Sequence, residues 1–277
     1  LGWAGRGAAR QGSQWLISGK WSGSAGRGAA RYGMARQGAA REPMVHFSFF
    51  GERFTIMSMY QFEFTSLTPL LMHADDVELA DAMSEWRKAP ENKNVSKPGD
   101  DRSPPWTWKT YCYNDGTHLA WPMDNIMVAV RTCGSDFKVP GGKMKTLKKV
   151  VAAGIVPVSE FAEFFVDHQG TQVTREQIES IVGTFKQQAE QVQSLGFKLF
   201  VKRARVGQSK HVRVRARFDK WKMRGRVEVI LPEIEPQIQA LWERTAIYQG
   251  FGDWRPSSRT GPGPFGKASV TLTKLKG

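Results

Sequence analysis

Long apolar runs and cysteines are scarce in this 277-residue chain, and their scarcity narrows the class of protein. No stretch approaches the roughly 20 consecutive apolar residues that a helix needs to cross a bilayer, so we expect no membrane partner. The two cysteines, Cys112 and Cys133, match no metal-ligand spacing, and the five histidines are scattered. The sequence therefore predicts a protein of the reduced cytoplasm that uses neither a metal nor another cofactor.

Acidic residues are also in short supply. The chain has 26 Asp and Glu against 40 Lys and Arg, which gives a formal net charge of +14. Residues 1–56 hold 8 basic and 2 acidic residues, so residues 57–277 keep 32 and 24, a net charge of +8. Such a balance predicts an anionic partner, and nucleic acid is the commonest one.

The first 56 residues differ from the rest of the chain in composition and contain a repeat. AGRGAAR occurs at residues 4–10 and again at 25–31, and RQGAAR follows at 36–41. This Gly/Ala/Arg pattern cannot bury an apolar face, so it predicts a disordered basic arm before one domain at residues 57–277. Two explanations stay open: upstream sequence translated from a mistaken gene start, or an arm that grips phosphates.

Strands and helices mix in residues 57–277 without a regular βαβ rhythm, which predicts an α+β fold with a mainly antiparallel sheet. We expect a polar, mobile loop over 89–105 and two extended pieces, 106–113 and 117–122, around the turn at 114–116. Strands are predicted at 60–67, 161–168, 197–206, 211–218, 222–231 and 267–275. Helices are predicted over 75–88, 123–133, 143–153, 175–182 and 234–249.

The strongest functional signal is a basic segment at residues 198–226, which holds twelve Lys or Arg against one acid, Asp219. Basic residues fall on every second position of VRVRARF (212–218) and KMRGRVEV (222–229), so they share one face of each strand. If these strands pair as a hairpin around 218–221, all six cations lie on one sheet face, which favours a track of phosphates. The predicted contacts are Lys202, Arg203, Arg205, Arg213, Arg215, Arg217, Lys222, Arg224 and Arg226.

A second basic cluster surrounds VPGGKMKTLKK at residues 139–149, where Lys143, Lys145 and Lys148 are candidates for backbone contacts. An ordinary solvated helix explains these lysines equally well. The ten tryptophans include several in predicted loops, and an exposed Trp stacks on unpaired bases, although burial is the expected fate of most.

The segment GFGDWRPSSRTGPGPFG, residues 250–266, is called the Gly/Pro loop below. It holds five glycines and three prolines, which allow the backbone to approach a phosphate or a sheet closely. Trp254 and Arg255 in this loop are predicted nucleic-acid contacts, and Asp253 is expected to pair with Arg255 or to cap the loop. Among possible acid/base groups only His73, beside Asp75 and Asp76, stands out as a weak catalytic candidate.

The Gly/Pro loop resembles the ending of uncharacterised phage and prophage proteins that close with G-x-G-D-W-R-P…G-P-F-G. That resemblance covers residues 57–277, implies a bacterial host and brings no activity with it. More distantly, the loop is similar to the glycine-rich C-terminal loop of the RAMP superfamily of CRISPR RNA-binding proteins. FTSLTPLLMH (64–73) and LAWPMDNIMVAVR (119–131) resemble two further RAMP patterns. This second resemblance implies a ferredoxin-like fold and an RNA or single-stranded ligand.

Taken together, the residues and the resemblance lead us to expect non-catalytic binding of RNA or single-stranded DNA, with possible homo-oligomers along the strand. Two alternatives stay open: a RAMP-type, metal-independent endoribonuclease with His73 as general base, and a virion or assembly protein whose basic face meets an acidic partner.

Overall fold

Two antiparallel sheets and the helices around them are described by a computed structural model of the protein. It describes residues 58–75, 77–95, 97, 99–206, 209–259 and 261–276. The side chains of residues 78, 79, 205, 206 and 209 lie outside the description, as does the arm predicted for residues 1–56.

The described strands are, in chain order, β1 (Ser58–Ser66), β2 (Leu70–Leu71), β3 (Ala120–Pro122), β4 (Ile155–Pro157), β5 (Phe161–Phe165), β6 (Lys198–Val206), β7 (Ser209–Phe218), β8 (Lys222–Val229) and β9 (Ala268–Leu275). The described α-helices are α1 (Val77–Lys88), α2 (Met123–Cys133), α3 (Lys148–Gly154), α4 (Arg175–Glu179), α5 (Phe185–Ser194) and α6 (Ile238–Arg244). Short 3-10 helices lie at Pro90–Asn92, Thr107–Tyr111, Gly134–Asp136 and Pro232–Gln237, and a π-helical turn extends α6 over Thr245–Gln249. The α+β class and the antiparallel pairing are therefore confirmed.

The larger sheet has six strands in the order β3-β5-β8-β1-β9, and β4 pairs with β8 as well. Alternation along β1 buries Tyr60, Phe62 and Phe64 on one face, as the period of two requires. Trp242 of α6 stacks on this face, with ring centroids 4.8 Å from Phe62 and 5.6 Å from Phe64. Helix α2 packs against α6, so the two helices cover the same face of the sheet.

The smaller sheet has three strands in the order β2-β7-β6. β6 and β7 pair as a hairpin from Lys198↔Arg217 to Val206↔Ser209, and Leu70 and Leu71 pair with the base of β7. One hairpin face buries Val214 and Ala216, and β6 packs against α5. Between Phe218 and Lys222 the chain passes from this sheet to the larger one.

Three predicted elements differ from the structure. The helix predicted over 143–153 begins only at Lys148, because Lys138 and Thr146 form a bridge that holds the preceding residues in a turn. Residues 107–111 form a 3-10 helix instead of an extended piece, because Thr107 and Trp108 are both fully buried. Neighbouring residues of a strand point to opposite faces, so a strand with one open face could not bury both. The predicted helix over 175–182 ends at Glu179, although Thr174 caps it as expected, accepting from the Gln177 backbone at 3.1 Å.

The polar segment 89–105, which the sequence predicts to be a mobile loop, packs against the fold at its end, while most of the described residues from 90 to 97 are exposed. Asp100 forms a bridge with Val212 of β7, and the Asp101 backbone N–H donates to the Val212 carbonyl at 2.9 Å. Asp101 itself is only 4% exposed. The part of this segment nearest β7 therefore belongs to the folded body.

Candidate nucleic-acid interface

The predicted pairing of β7 with β8 is wrong, and the six alternating cations do not share one sheet face. β7 pairs with β6 and β2, while β8 pairs with β1, β5 and β4. The physical reason lies in the link between them: Phe218 and Trp221 are fully buried, and the Trp221 indole N–H donates to the Thr68 carbonyl at 2.9 Å. A link that buries two large rings enters the core, so it does not form an exposed hairpin turn.

Within β8 the alternation prediction itself is confirmed, but the face has charges of both signs. Lys222, Arg224 and Arg226 lie opposite Thr65, Glu63 and Gln61 of β1 on the side away from α6. Lys222 Nζ pairs with Glu63 at 2.8 Å, and Arg224 Nε donates to Glu163 of β5 at 2.7 Å. Glu163 also raises the pKa of Arg224. Arg226 is exposed. Two of these three cations are neutralised within the sheet.

Within β7, Arg213, Arg215 and Arg217 share one face as predicted, and each of them has an acidic partner. Arg213 Nη1 lies 3.1 Å from Asp101, and Arg217 Nε lies 2.7 Å from Asp219. Lys198 of β6 shares Asp219 at 2.8 Å. The two cations at Asp219 lower the pKa of its carboxyl group against the opposing effect of burial.

Arg215 is nearly buried and, unlike Arg213 and Arg217, pairs with two carboxylates. Its Nη1 lies 3.3 Å from Asp101 and its Nε 3.1 Å from Asp253 of the Gly/Pro loop. The guanidinium also lies over the Tyr111 ring, 4.2 Å from the centroid. Arg215 therefore joins the polar segment and the Gly/Pro loop to β7, and it is largely unavailable to an external phosphate.

The outer half of the β6–β7 hairpin carries cations of a different kind. Lys202, Arg203 and Lys210 are exposed, and no carboxylate pairs with them among the described residues. Lys202 lies opposite Arg213 on one face, while Arg203 and Lys210 belong to the other. The predicted contact Arg205 has its backbone in β6, but its side chain lies outside the description. This outer half is basic on both faces.

The glycines of the Gly/Pro loop serve close backbone packing. A Cβ at Gly263 would overlap the Trp254 carbonyl oxygen, and one at Gly252 would overlap the Leu71 carbonyl oxygen. The loop is also hydrogen-bonded to the segment after β1: Gly266 N–H donates to the Pro69 carbonyl at 2.8 Å and Asp253 N–H to the Leu71 carbonyl at 2.9 Å. The loop is thereby fixed beside β2 and the hairpin.

Trp254 projects from this loop to the hairpin. The ammonium of Lys202 lies 3.0 Å from the Trp254 ring centroid, while Phe265 lies parallel to the ring at 6.3 Å. Arg255 donates to the Gly252 carbonyl at 3.1 Å and to the Ser257 hydroxyl at 3.0 Å. Of the two roles predicted for Asp253, it caps the loop, with Oδ1 accepting from the Trp254 backbone N–H at 2.9 Å, and does not pair with Arg255. The structure thus brings Trp254 together with Lys202.

The second basic cluster is carried by a different part of the fold. Lys143 and Lys145 lie in the turn before α3, and Lys148 begins that helix. All three are exposed. Helix α3 packs against α2 and the 232–237 turn, whereas β7 packs against the turn at 107–111. The elements that pack against this cluster thus differ from those that pack against the hairpin.

His73 lies beside the Gly/Pro loop, at the lip of a cavity of about 190 Å³ that Tyr113, Asn125 and Arg255 also line. Arg215 Nη2 donates to His73 Nε2 at 3.1 Å, and Nδ1 lies 3.6 Å from Asp253. A guanidinium only donates, so Nε2 is the unprotonated acceptor. Burial and the Arg215 charge lower the pKa of His73, against the opposing influence of Asp253.

Of the seven tryptophans among the described residues, four are buried, in line with the prediction that most are: Trp108, Trp121, Trp221 and Trp242 are 2% exposed or less. In the described part of the chain, no cluster of His, Cys, Asp and Glu is arranged to hold a metal ion. None of the described helices has the length and apolarity to span a bilayer.

The acidic partners Asp101, Glu63 and Glu163 are the functional residues that sequence reasoning missed. They lie far from residues 198–226 along the chain, and no local pattern connects them with those cations. One signal could have indicated Glu63. It alternates with the buried aromatic residues of β1, so its side chain faces the other side of the sheet, where it lies opposite Arg224 of β8.

No protein-family model matches the chain, and no curated protein matches it.

Proposed function

We propose that this protein binds RNA or single-stranded DNA without cleaving it, through the β6–β7 hairpin and the adjoining Gly/Pro loop. The observation that carries the proposal is the outer half of the hairpin, where Lys202, Arg203 and Lys210 are exposed and have no acidic partner among the residues that the structure describes. From residue 198 to residue 218 the hairpin contains no Asp or Glu at all. Like charges at this density are unfavourable unless an anion lies between them, and a phosphate backbone supplies a row of anions.

The position of Trp254 supports a single strand over a duplex. Its ring lies half-exposed against Lys202, so one base can stack where the lysine contacts the neighbouring phosphate. Duplex bases are already stacked on each other and offer no free face to an indole. Phosphate contacts by the hairpin cations give affinity with little sequence preference.

A ferredoxin-like, RAMP-like core is part of the same proposal. Its support is the order β5-β8-β1-β9, all antiparallel, with α2 following β1 in sequence and α6 following β8. In this arrangement the hairpin belongs to an insertion between β5 and β8. The Gly/Pro loop then occupies the last connection, between the second core helix and the last strand.

The endoribonuclease alternative is supported less well. A general base needs a free lone pair, and the His73 Nε2 lone pair already accepts a hydrogen bond from Arg215. The virion or assembly alternative needs an acidic protein partner for the same hairpin, and it predicts assembly without nucleic-acid affinity.

Fluorescence anisotropy with labelled single-stranded RNA, single-stranded DNA and duplex DNA tests the proposal. We expect binding that weakens steeply with salt. In Lys202→Ala/Arg203→Ala the slope of log affinity against log salt concentration should be smaller in magnitude by about 1.4, because each phosphate contact on a single strand contributes about 0.7. The matched control is Lys222→Ala/Arg224→Ala, which removes two cations that already have carboxylate partners and should leave the slope nearly unchanged.

If the protein binds none of the three ligands at low salt, the nucleic-acid proposal is rejected. An acidic protein is then the expected partner of the hairpin. Equal losses in the two double variants would show that total charge matters and the hairpin does not. Gel analysis of the same RNA, with and without the protein and in the presence of a chelator, would reveal metal-independent cleavage if the endoribonuclease alternative is right.

A further inference from the structure

A cavity of about 170 Å³ lies between the β6–β7 hairpin and the Gly/Pro loop. Its wall combines two aromatic rings, Phe200 and Trp254, with the charged groups of Lys202, Arg213 and Asp253. This composition differs from that of the neighbouring His73 cavity, which has no hairpin residue in its wall. Flat apolar surface beside donors and acceptors suits a planar heterocycle whose edge carries polar groups.

Trp254 is held rigidly at this cavity. Among the described residues it is the one non-glycine with a positive φ, 53°. Its backbone N–H donates to Asp253 Oδ1 at 2.9 Å, and Phe265 supports its ring from a parallel position at 6.3 Å. Phe200 meets the ring edge-on at a centroid distance of 6.3 Å. A residue kept in a costly backbone conformation by its surroundings is typical of a site that contacts a ligand.

The Trp254 ring already has a cation in the position that a stacked base would take. Lys202 Nζ lies 3.0 Å from the ring centroid, and no carboxylate holds this lysine in the described part of the structure. Its long flexible side chain allows the ammonium to leave the ring and to pair with a phosphate instead. An incoming base and its own phosphate would therefore replace one cation–π contact by a stack and an ion pair.

The polar groups of the wall discriminate among bases. Each oxygen of the half-buried Asp253 carboxylate accepts one hydrogen bond, from the Trp254 N–H and from Arg215, and keeps a second lone pair. Guanine presents N1–H and N2–H donors side by side on one edge. Arg213 binds Asp101 through Nη1 at 3.1 Å, and 37% of its side chain is exposed, so its other N–H groups can pair with the guanine acceptors O6 and N7. Adenine and cytosine present one amino group, and uracil one imide N–H, so each satisfies fewer of these groups.

We propose, on the basis of the nucleic-acid function proposed above, that this cavity is a base-specific subsite for one unstacked guanine of the bound single strand. Trp254 stacks on the base, Asp253 and Arg213 bind its edge, and Lys202 binds the adjoining phosphate. The cationic hairpin then supplies affinity along the strand, and this one cavity supplies a sequence preference.

Anisotropy titrations with three oligouridines test the subsite: one with a single central guanosine, one with adenosine there, and one with an abasic site there. We expect the wild-type protein to bind the guanosine strand about tenfold more tightly than the abasic strand, with adenosine between them. Trp254→Ala should bind all three alike, with an unchanged salt slope because no cation is removed. Trp106→Ala, another half-buried tryptophan, is the matched control and should keep the preference.

Thermal unfolding shows whether the variants are folded. If Trp254→Ala does not fold, Trp254→Phe and Trp254→Leu give the same test, because Phe keeps a ring for stacking and Leu keeps only bulk. The preference should survive in the Phe variant and disappear in the Leu variant.

Equal wild-type affinity for the guanosine and abasic strands overturns the subsite, and so does a guanosine preference that persists in Trp254→Ala. A preference for adenosine over guanosine overturns the assignment of the base. In each of these results the salt-dependent binding by the hairpin still stands. A wild-type protein that binds none of the strands at low salt overturns the proposed function and the subsite together.

Discussion

Arg215 Nε donates to Asp253 Oδ2 at 3.1 Å, and this contact joins the middle of β7 to the Gly/Pro loop. The same guanidinium reaches Asp101 through Nη1 at 3.3 Å. One nearly buried arginine thus fastens two loops to one strand. A cationic strand of this kind contains two populations, arginines that hold the fold together and lysines and arginines that remain open to solvent.

Arg215→Ala is expected to lower the free energy of unfolding by about 3 kcal/mol, because it leaves buried Asp101 and half-buried Asp253 with fewer partners. Arg213→Ala should cost less than about 1 kcal/mol, since Arg213 is more exposed and Arg215 still pairs with Asp101. Urea unfolding followed by tryptophan fluorescence measures both values. Similar losses in the two variants would contradict the central role of Arg215.

Gly263→Ala tests whether the Gly/Pro loop is fixed by backbone packing. The added Cβ would overlap the Trp254 carbonyl oxygen, so the loop must shift, and we expect a loss of about 2 kcal/mol in urea unfolding. The control is Gly116→Ala, where nothing lies within 4 Å of the added Cβ and only the positive φ of 98° opposes the side chain. If Gly263→Ala lowers the free energy of unfolding no more than Gly116→Ala does, the loop can shift at little cost in stability.

Sequence patterns predicted the strands well because alternation is a local property. The buried series Tyr60, Phe62 and Phe64 identifies β1 and its inner face, and the periodic cations of 212–218 identify the face that they share. Alternation does not identify the neighbouring strand, however. The assignment of β7 and β8 to different sheets depends on the burial of Phe218 and Trp221 in the core.

The site was harder to predict for the same reason. Ion pairs such as Arg224 with Glu163 join residues that are distant in sequence, so a stretch that reads as purely cationic becomes a face of mixed sign when it folds. Helix α5 was missed although it has a local signal. Thr184 and Gln187 form a capping box, with Thr184 N–H donating to Gln187 Oε1 at 2.8 Å, and its apolar residues are too few to make a clear stripe.

The two thiols should resist alkylation in the native protein. Burial raises the pKa of Cys112 to about 12, and it also raises the pKa of Cys133. Only the thiolate reacts, so iodoacetamide at pH 8 should label neither residue until the chain unfolds. Mass spectrometry with and without urea measures the labelling. Rapid modification of native Cys112 would contradict its burial between the 107–111 turn and the core.

His73 should make stability depend on pH in a definite direction. Its pKa is lowered in the folded state from the ordinary value of 6.5, by burial first and by the Arg215 charge second. Below pH 6.5 the unfolded chain therefore binds a proton that the folded protein resists, and the free energy of unfolding decreases as the pH falls until the folded-state pKa is reached. Above pH 6.5 the neutral ring is favoured in both states, and this contribution is fully present.

We expect His73→Gln, which keeps an acceptor for Arg215 but does not titrate, to lose less stability than the wild type between pH 7 and pH 5. Urea unfolding of both proteins across that range, with His168→Gln as an exposed control, provides the comparison. A His73→Gln curve parallel to that of the wild type would show that the ring titrates as it does in the unfolded chain.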